Sequence, residues 1–156
     1  MGLANGYSCD REEPKIGLIK WARGSSPWVL HFNSGSCNGC DIEFVASKSP
    51  KYDLERFGIL VKGSPRHADI LAVTGPVSRQ ARSRLIRIYE QMPEPKYVIA
   101  IGSCAITGAP FTGSYSHCGG VKNVIPVDVY VGGCPPRPEA IINGMLKVIE
   151  KMRGGK

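Results

Sequence analysis

Apolar residues along this chain fall into short continuous runs rather than alternating ones. Residues 28–32, 68–74, 97–101 and a stretch within 124–131 are each of strand length. Turn residues close every run: Asn33-Ser34-Gly35-Ser36, Gly75-Pro76, Gly102-Ser103 and Gly132-Gly133. Segments of helical character separate them. Residues 37–48 form the first, and residues 78–91 the second, with Leu85, Ile86 and Tyr89 at helical spacing. Residues 139–152 form the third, with Ile142, Met145, Leu146 and Ile149 along one face and Gly154-Gly155 beyond its end. Strands that are apolar throughout belong to a sheet covered on both faces, and strand–helix alternation indicates βαβ units with right-handed crossovers. The pattern predicts an α/β fold: a small doubly wound, flavodoxin-like, mainly parallel sheet of about four strands with helices on both faces.

One domain over residues 28–156 accommodates these elements. Residues 1–27 have weak periodicity and read as an N-terminal arm with one short helical turn, broken at Gly24-Ser25-Ser26-Pro27. The arm is either a frayed terminus or a docking segment, with Ile16, Leu18, Ile19 and Trp21 on a membrane subunit and Lys15, Lys20 and Arg23 near headgroups. Residues 49–67 and 105–123 are irregular excursions long enough to be functional or partner-binding.

Composition narrows the class. At 156 residues, with 42% apolar and 21% charged, the chain is neither disordered nor fibrous. Its apolar runs are too interrupted for a membrane span, and its first residues have no apolar core of an export signal. The net charge of +7 suits an acidic partner, an anionic membrane face or nucleic acid. Against nucleic acid, the arginine-rich stretch 79–87 lacks the interleaved aromatics such a surface uses.

Six cysteines in a chain without an export signal point to metal ligands or catalytic thiols rather than disulfides. Cys37 and Cys40 form a C-x-x-C after the first strand; Cys104 follows the third strand and Cys134 the fourth. In a parallel sheet the carboxyl ends of the strands share one edge, so these four converge there. Each lies near glycine, which lets the backbone approach a bulky inorganic group. A cubane [4Fe-4S] cluster suits the set. Structural zinc and a redox dithiol are the alternatives; zinc sites usually pair two knuckles, and the second is missing. Cys9, in the arm, and Cys118, in a Gly/Ser-rich loop, read as free thiols, although Cys118 could replace one of the four if its loop folded over the site.

Three segments also carry a resemblance: Cys37-Asn38-Gly39-Cys40-Asp41-Ile42-Glu43, Ala100-Ile101-Gly102-Ser103-Cys104-Ala105 and Val131-Gly132-Gly133-Cys134-Pro135-Pro136-Arg137-Pro138. They resemble the small subunit of membrane-bound, energy-converting [NiFe] hydrogenases and the homologous complex I subunit that carries its terminal cluster. The complex I branch has adjacent cysteines in the first motif; the intervening Asn38-Gly39 favours the hydrogenase branch, of the kind that holds a single cluster. The resemblance implies one [4Fe-4S] cluster on Cys37, Cys40, Cys104 and Cys134. It also implies a large [NiFe]-type catalytic subunit, ferredoxin-like iron–sulfur subunits, membrane-arm subunits and ferredoxin as external donor. The chain would then lie peripherally on the cytoplasmic side of the cell membrane, with proton reduction or hydrogen oxidation coupled to ion translocation. A relative without nickel that reduces sulfur compounds or quinone would look nearly the same.

Other residues have two readings each. Asp41 and Glu43 are a proton relay where two subunits meet, or surface carboxylates in a first helical turn, where they suit the dipole. Arg137 offsets cluster charge or binds the large subunit, or is a plain surface arginine. Arg66 and His67 read as a solvated loop pair rather than residues facing the partner's active site, His31 as a packed core histidine rather than a ligand, and Trp21 and Trp28 as packing anchors rather than electron relays.

Overall fold

The computed structural model describes residues 17–154, with side chains from Trp21 onward. Cys9, and the arm residues proposed above to dock before Trp21, lie outside that description. Five strands form one parallel sheet: β1 (Trp28–Asn33), β2 (Leu60–Val61), β3 (Ile70–Thr74), β4 (Tyr97–Ile101) and β5 (Val129–Val131). Their spatial order is β2-β1-β3-β4-β5, the flavodoxin-like order expected for a doubly wound sheet. The fifth strand lies inside the excursion 49–67. It is two residues long and pairs Leu60 with Trp28 and Val61 with Val29. The expected strand within 124–131 shortens to its last three residues, beside β4.

Every residue of β3 and β4 is buried, and successive side chains enter different cores. Ile70, Ala72, Tyr97, Ile99 and Ile101 join one core with Phe44 and Met145. Leu71, Val73, Val98 and Ala100 join the other with Leu85 and Tyr89. The first core is covered by α2 (Gly39–Ala46) and α5 (Pro138–Arg153), the second by α3 (Arg79–Gln91). Helix α5 sits tightly on the sheet because Gly144 has no side chain: a Cβ there would lie 2.3 Å from Val131 Cγ2.

Helix α1 (Gly17–Ser25) packs on α5. Arg153 Nη2 and Nε donate to Gly24 O at 2.9 and 3.1 Å, and Arg23 pairs with Asp69 at 3.4 Å. Trp21 is no packing anchor: it is 68% exposed, although α1 packs on α5. Trp28 is half-buried against the His67 ring, with centroids 5.9 Å apart. Among the described residues no helix is long and apolar enough to cross a membrane.

Phe44, 1% exposed, stacks on His31 with centroids 4.9 Å apart. Phe44→Ala is expected to cost about 3–5 kcal/mol through lost transfer energy and a cavity that the sheet cannot collapse to fill. Urea unfolding of the metal-free chain would measure it as a lower midpoint at unchanged slope.

Candidate metal centre at the carboxyl edge of the sheet

Three loops meet at the carboxyl edge of the sheet, and each brings cysteine. The first leaves β1 at Asn33 and enters α2 through Asn38, whose φ is 73°. Cys37 lies exposed on this loop, while Cys40, in the first turn of α2, is buried. The second leaves β4 through Gly102 and turns at once into the short helix α4 (Ser103–Thr107), where Cys104 is half-buried. The third leaves β5 through Gly132-Gly133 and carries exposed Cys134. The β4 and β5 loops are tied together: Gly102 N donates to Val131 O and Ser103 N to Gly133 O, both at 2.8 Å.

Glycines reveal how closely the loops approach. A Cβ on Gly102 would lie 2.6 Å from Cys40 Sγ, so the sulfur of the first loop rests directly on the backbone of the second. A Cβ on Gly39 would lie 3.7 Å from Cys37 Sγ and 3.8 Å from Pro135 Cγ, so the third loop reaches the C-x-x-C turn.

The thiols feel one another. Burial pushes the Cys40 thiol up to about 11, and Cys37, Cys104, Asp41 and Cys134 add to the push in that order. Cys104 is raised too, by burial first and then by Cys134 and Cys37, with a backbone hydrogen bond acting the other way. Partly buried charges are screened less than charges in water, so neighbouring thiolates oppose one another's ionisation. Cys40 and Cys104 are therefore pushed up by a group that includes Cys37 and Cys134. Such a group is unstable as four free thiolates and stable when a cation is shared among them. Among the described residues, no three His, Cys, Asp or Glu side chains are gathered so as to hold a single metal ion.

Cys118 is not among the groups that act on Cys40 or Cys104. Its N–H donates to Val77 O at 2.7 Å, and it packs against the core beneath α3. Arg66 and His67 form an exposed turn beside Trp28, the first residue of β1, and so lie at the other end of the sheet. Arg137 is exposed at the start of α5.

Asp41 is not a surface carboxylate. It is 7% exposed, and three side chains from the strand ends surround it. Asn33 Nδ2 donates to Oδ2 at 2.7 Å, and Thr74 Oγ1 donates to Oδ1 at 2.5 Å. His31 Nε2 lies 2.8 Å from Oδ1 and 3.3 Å from Thr74 Oγ1. His31 is accordingly half-exposed and paired, not simply packed in the core. Glu43 is half-buried one turn along α2. Asn33, Ser34 and Thr74 are the residues that sequence reasoning missed here. Ser34 Oγ, fully buried, donates to Thr74 O at 2.8 Å and Gly75 O at 3.0 Å, stapling the end of β1 to that of β3. The polar turn Asn33-Ser34-Gly35-Ser36 was the visible signal for Asn33 and Ser34; Thr74, at the end of an apolar run, gave none.

Residues 37–148 match the family described as NADH ubiquinone oxidoreductase, 20 Kd subunit. The chain is 52% identical over 150 residues to the probable membrane-bound hydrogenase subunit mbhJ of Pyrococcus furiosus, covering 96% of this chain and 90% of that protein. It is 49% identical over 137 residues to an NADH-quinone oxidoreductase subunit of Carboxydothermus hydrogenoformans, covering 87% of this chain and 81% of the other. Among solved structures, it is similar to a chain of the membrane-bound sulfane sulfur reductase, an archaeal respiratory membrane complex. That match has a TM-score of 0.78 at 42% identity and covers 90% of this chain and 77% of that one.

Proposed function

The chain belongs to the NADH ubiquinone oxidoreductase 20 Kd subunit family, and from that membership we propose that it is an electron-transfer subunit holding one [4Fe-4S] cluster on Cys37, Cys40, Cys104 and Cys134. It is an oxidoreductase subunit of a membrane complex. In the reading proposed here, electrons pass through it between a ferredoxin-linked iron–sulfur chain and the [NiFe] site of a large subunit, where proton reduction or hydrogen oxidation is coupled to ion translocation. The observation that carries the proposal is the meeting of four cysteines, remote in sequence, at one sheet edge. The donor set fits the group: four thiolates are the usual ligands of a cubane cluster, and the bare backbone of Gly102 lets Cys40 Sγ lie against the loop that carries Cys104.

When bound, the cluster supplies one-electron transfer. The chain's residues determine its setting. Cys40 anchors the inner side, against buried Phe44 and Ile101, and exposed Cys37 and Cys134 form the outer rim. On α2, Ile42 and Val45 are 60% and 57% exposed, an apolar surface suited to the large subunit. Glu43 is the carboxylate placed to pass protons at that boundary, since Asp41 is committed to three donors.

The similarity to a sulfane sulfur reductase chain favours a second reading, in which the same relay serves a large subunit without nickel. The large-subunit sequence discriminates, because two C-x-x-C pairs would mark a nickel centre. For the cluster itself, anaerobic reconstitution of the full chain with iron and sulfide should give about four irons per chain, a visible absorption band and an EPR signal on reduction. A colourless chain that binds one zinc tightly would overturn the assignment.

A further inference from the structure

We propose that Asn33 and Asp41 form a clasp that holds the Cys37–Cys40 turn in ligating geometry before any metal arrives. This inference rests on the cluster reading above and deepens it. The Asn33 side chain stands at the end of β1, and its two ends face different parts of the turn. Its Oδ1 accepts from Gly35 N at 2.9 Å and Ser36 N at 2.8 Å, immediately before Cys37. Its Nδ2 donates at 2.7 Å to Asp41 Oδ2, immediately after Cys40. One planar amide therefore bridges the two flanks of the C-x-x-C segment. Two N–H donors on one side fix which end is oxygen, so the nitrogen must face the carboxylate.

The carboxylate cannot turn away, because its other oxygen is held by Thr74 Oγ1 and His31 Nε2. Both belong to the sheet, so the clasp is referenced to β1 and β3 and not to the loop alone. Gly75 presses from beneath: its φ is +77°, and a Cβ there would lie 2.3 Å from Ser36 N. Four-residue cysteine turns are floppy when unsupported, and ordering one costs backbone entropy. A clasp that meets this cost during folding leaves less of it to metal binding. Asn33 and Asp41 are positioning residues in this account; neither touches the iron.

Reciprocal exchange tests the clasp. In Asp41→Asn, an amide carrying its own NH2 confronts His31, Thr74 and Asn33, so one donor is left facing another. In Asn33→Asp, two carboxylates face each other. The double substitution Asn33→Asp with Asp41→Asn restores every hydrogen bond with one direction reversed, at unchanged net charge. Two readouts apply to the full chain. In the metal-free state, amide exchange at Gly35 and Ser36 should be slow in the original, at least tenfold faster in each single variant and slow again in the double. On reconstitution, iron per chain should fall several-fold in each single variant and recover in the double, with the EPR line shape of the original. Circular dichroism should confirm a folded sheet in all four proteins. Single variants that exchange and load like the original, or a folded double variant that fails to recover, would overturn the clasp. If the original chain takes up no iron, the cluster reading falls, and the amide-exchange comparison still decides the clasp.

Discussion

Gly102→Ala is expected to abolish cluster uptake while leaving most of the fold in place. Two independent obstacles act at this position. The backbone has φ 92° and ψ 152°, a region open to glycine and costly for any residue with a Cβ, by roughly 1–3 kcal/mol. The new methyl would also arrive 2.6 Å from Cys40 Sγ, inside contact distance. Cys40 has no room to retreat, because it is buried among Phe44, Ile101 and the other residues of the first core. The strain is therefore released by moving the sulfur or the Gly102-Ser103 turn, and Cys104 lies on that turn. A single methyl displaces two ligands at once. Iron analysis after reconstitution should show loss of the four-iron complement, with a folded circular dichroism spectrum and a melting temperature lowered by several degrees. Full iron content with an unaltered EPR signal in this variant would show that Cys40 and Cys104 do not share a ligand.

The second large effect comes from comparing cysteines of different exposure. Cys134→Ser should lose the cluster or leave a distorted one, whereas Cys118→Ser and Cys9→Ser should keep full iron. The contrast is informative because Cys134 is exposed, so its replacement opens no cavity and removes no packing. Any loss of iron then reports ligation and not misfolding. Cys118 offers the opposite control. It is half-buried against the core beneath α3, so serine there should lower stability slightly without touching the metal. Equal damage from Cys134→Ser and Cys118→Ser, read as iron per chain beside thermal stability, would show that the ligand set is wrong.

The hydrophobic pattern carried the central strands well because β3 and β4 are buried on both faces, and such runs contain nothing but apolar residues. It missed β2 because two residues have no period, and Leu60 and Val61 are strand only by virtue of pairing with Trp28 and Val29. Likewise Val129–Val131 is short because it has only β4 to pair with. The cysteine group was legible because topology alone sends the ends of parallel strands to one edge. The setting of Asp41 was not legible. A carboxylate in a first helical turn normally reads as solvated, and nothing local reveals that His31, Asn33 and Thr74 aim at it from two different strands. Trp21 failed for a related reason: a large aromatic on a nine-residue helix looks like an anchor until its exposure is known.

The unequal depth of the four sulfurs gives the proposed complex a sequence of construction. Cys40 is sunk into the protein, whereas Cys37 and Cys134 are exposed. A cofactor must enter from that outward side. In the proposed complex, a large subunit that settled over Cys37 and Cys134 would close that side, so iron delivery would precede docking, and a chain capped while empty would be a dead end for maturation.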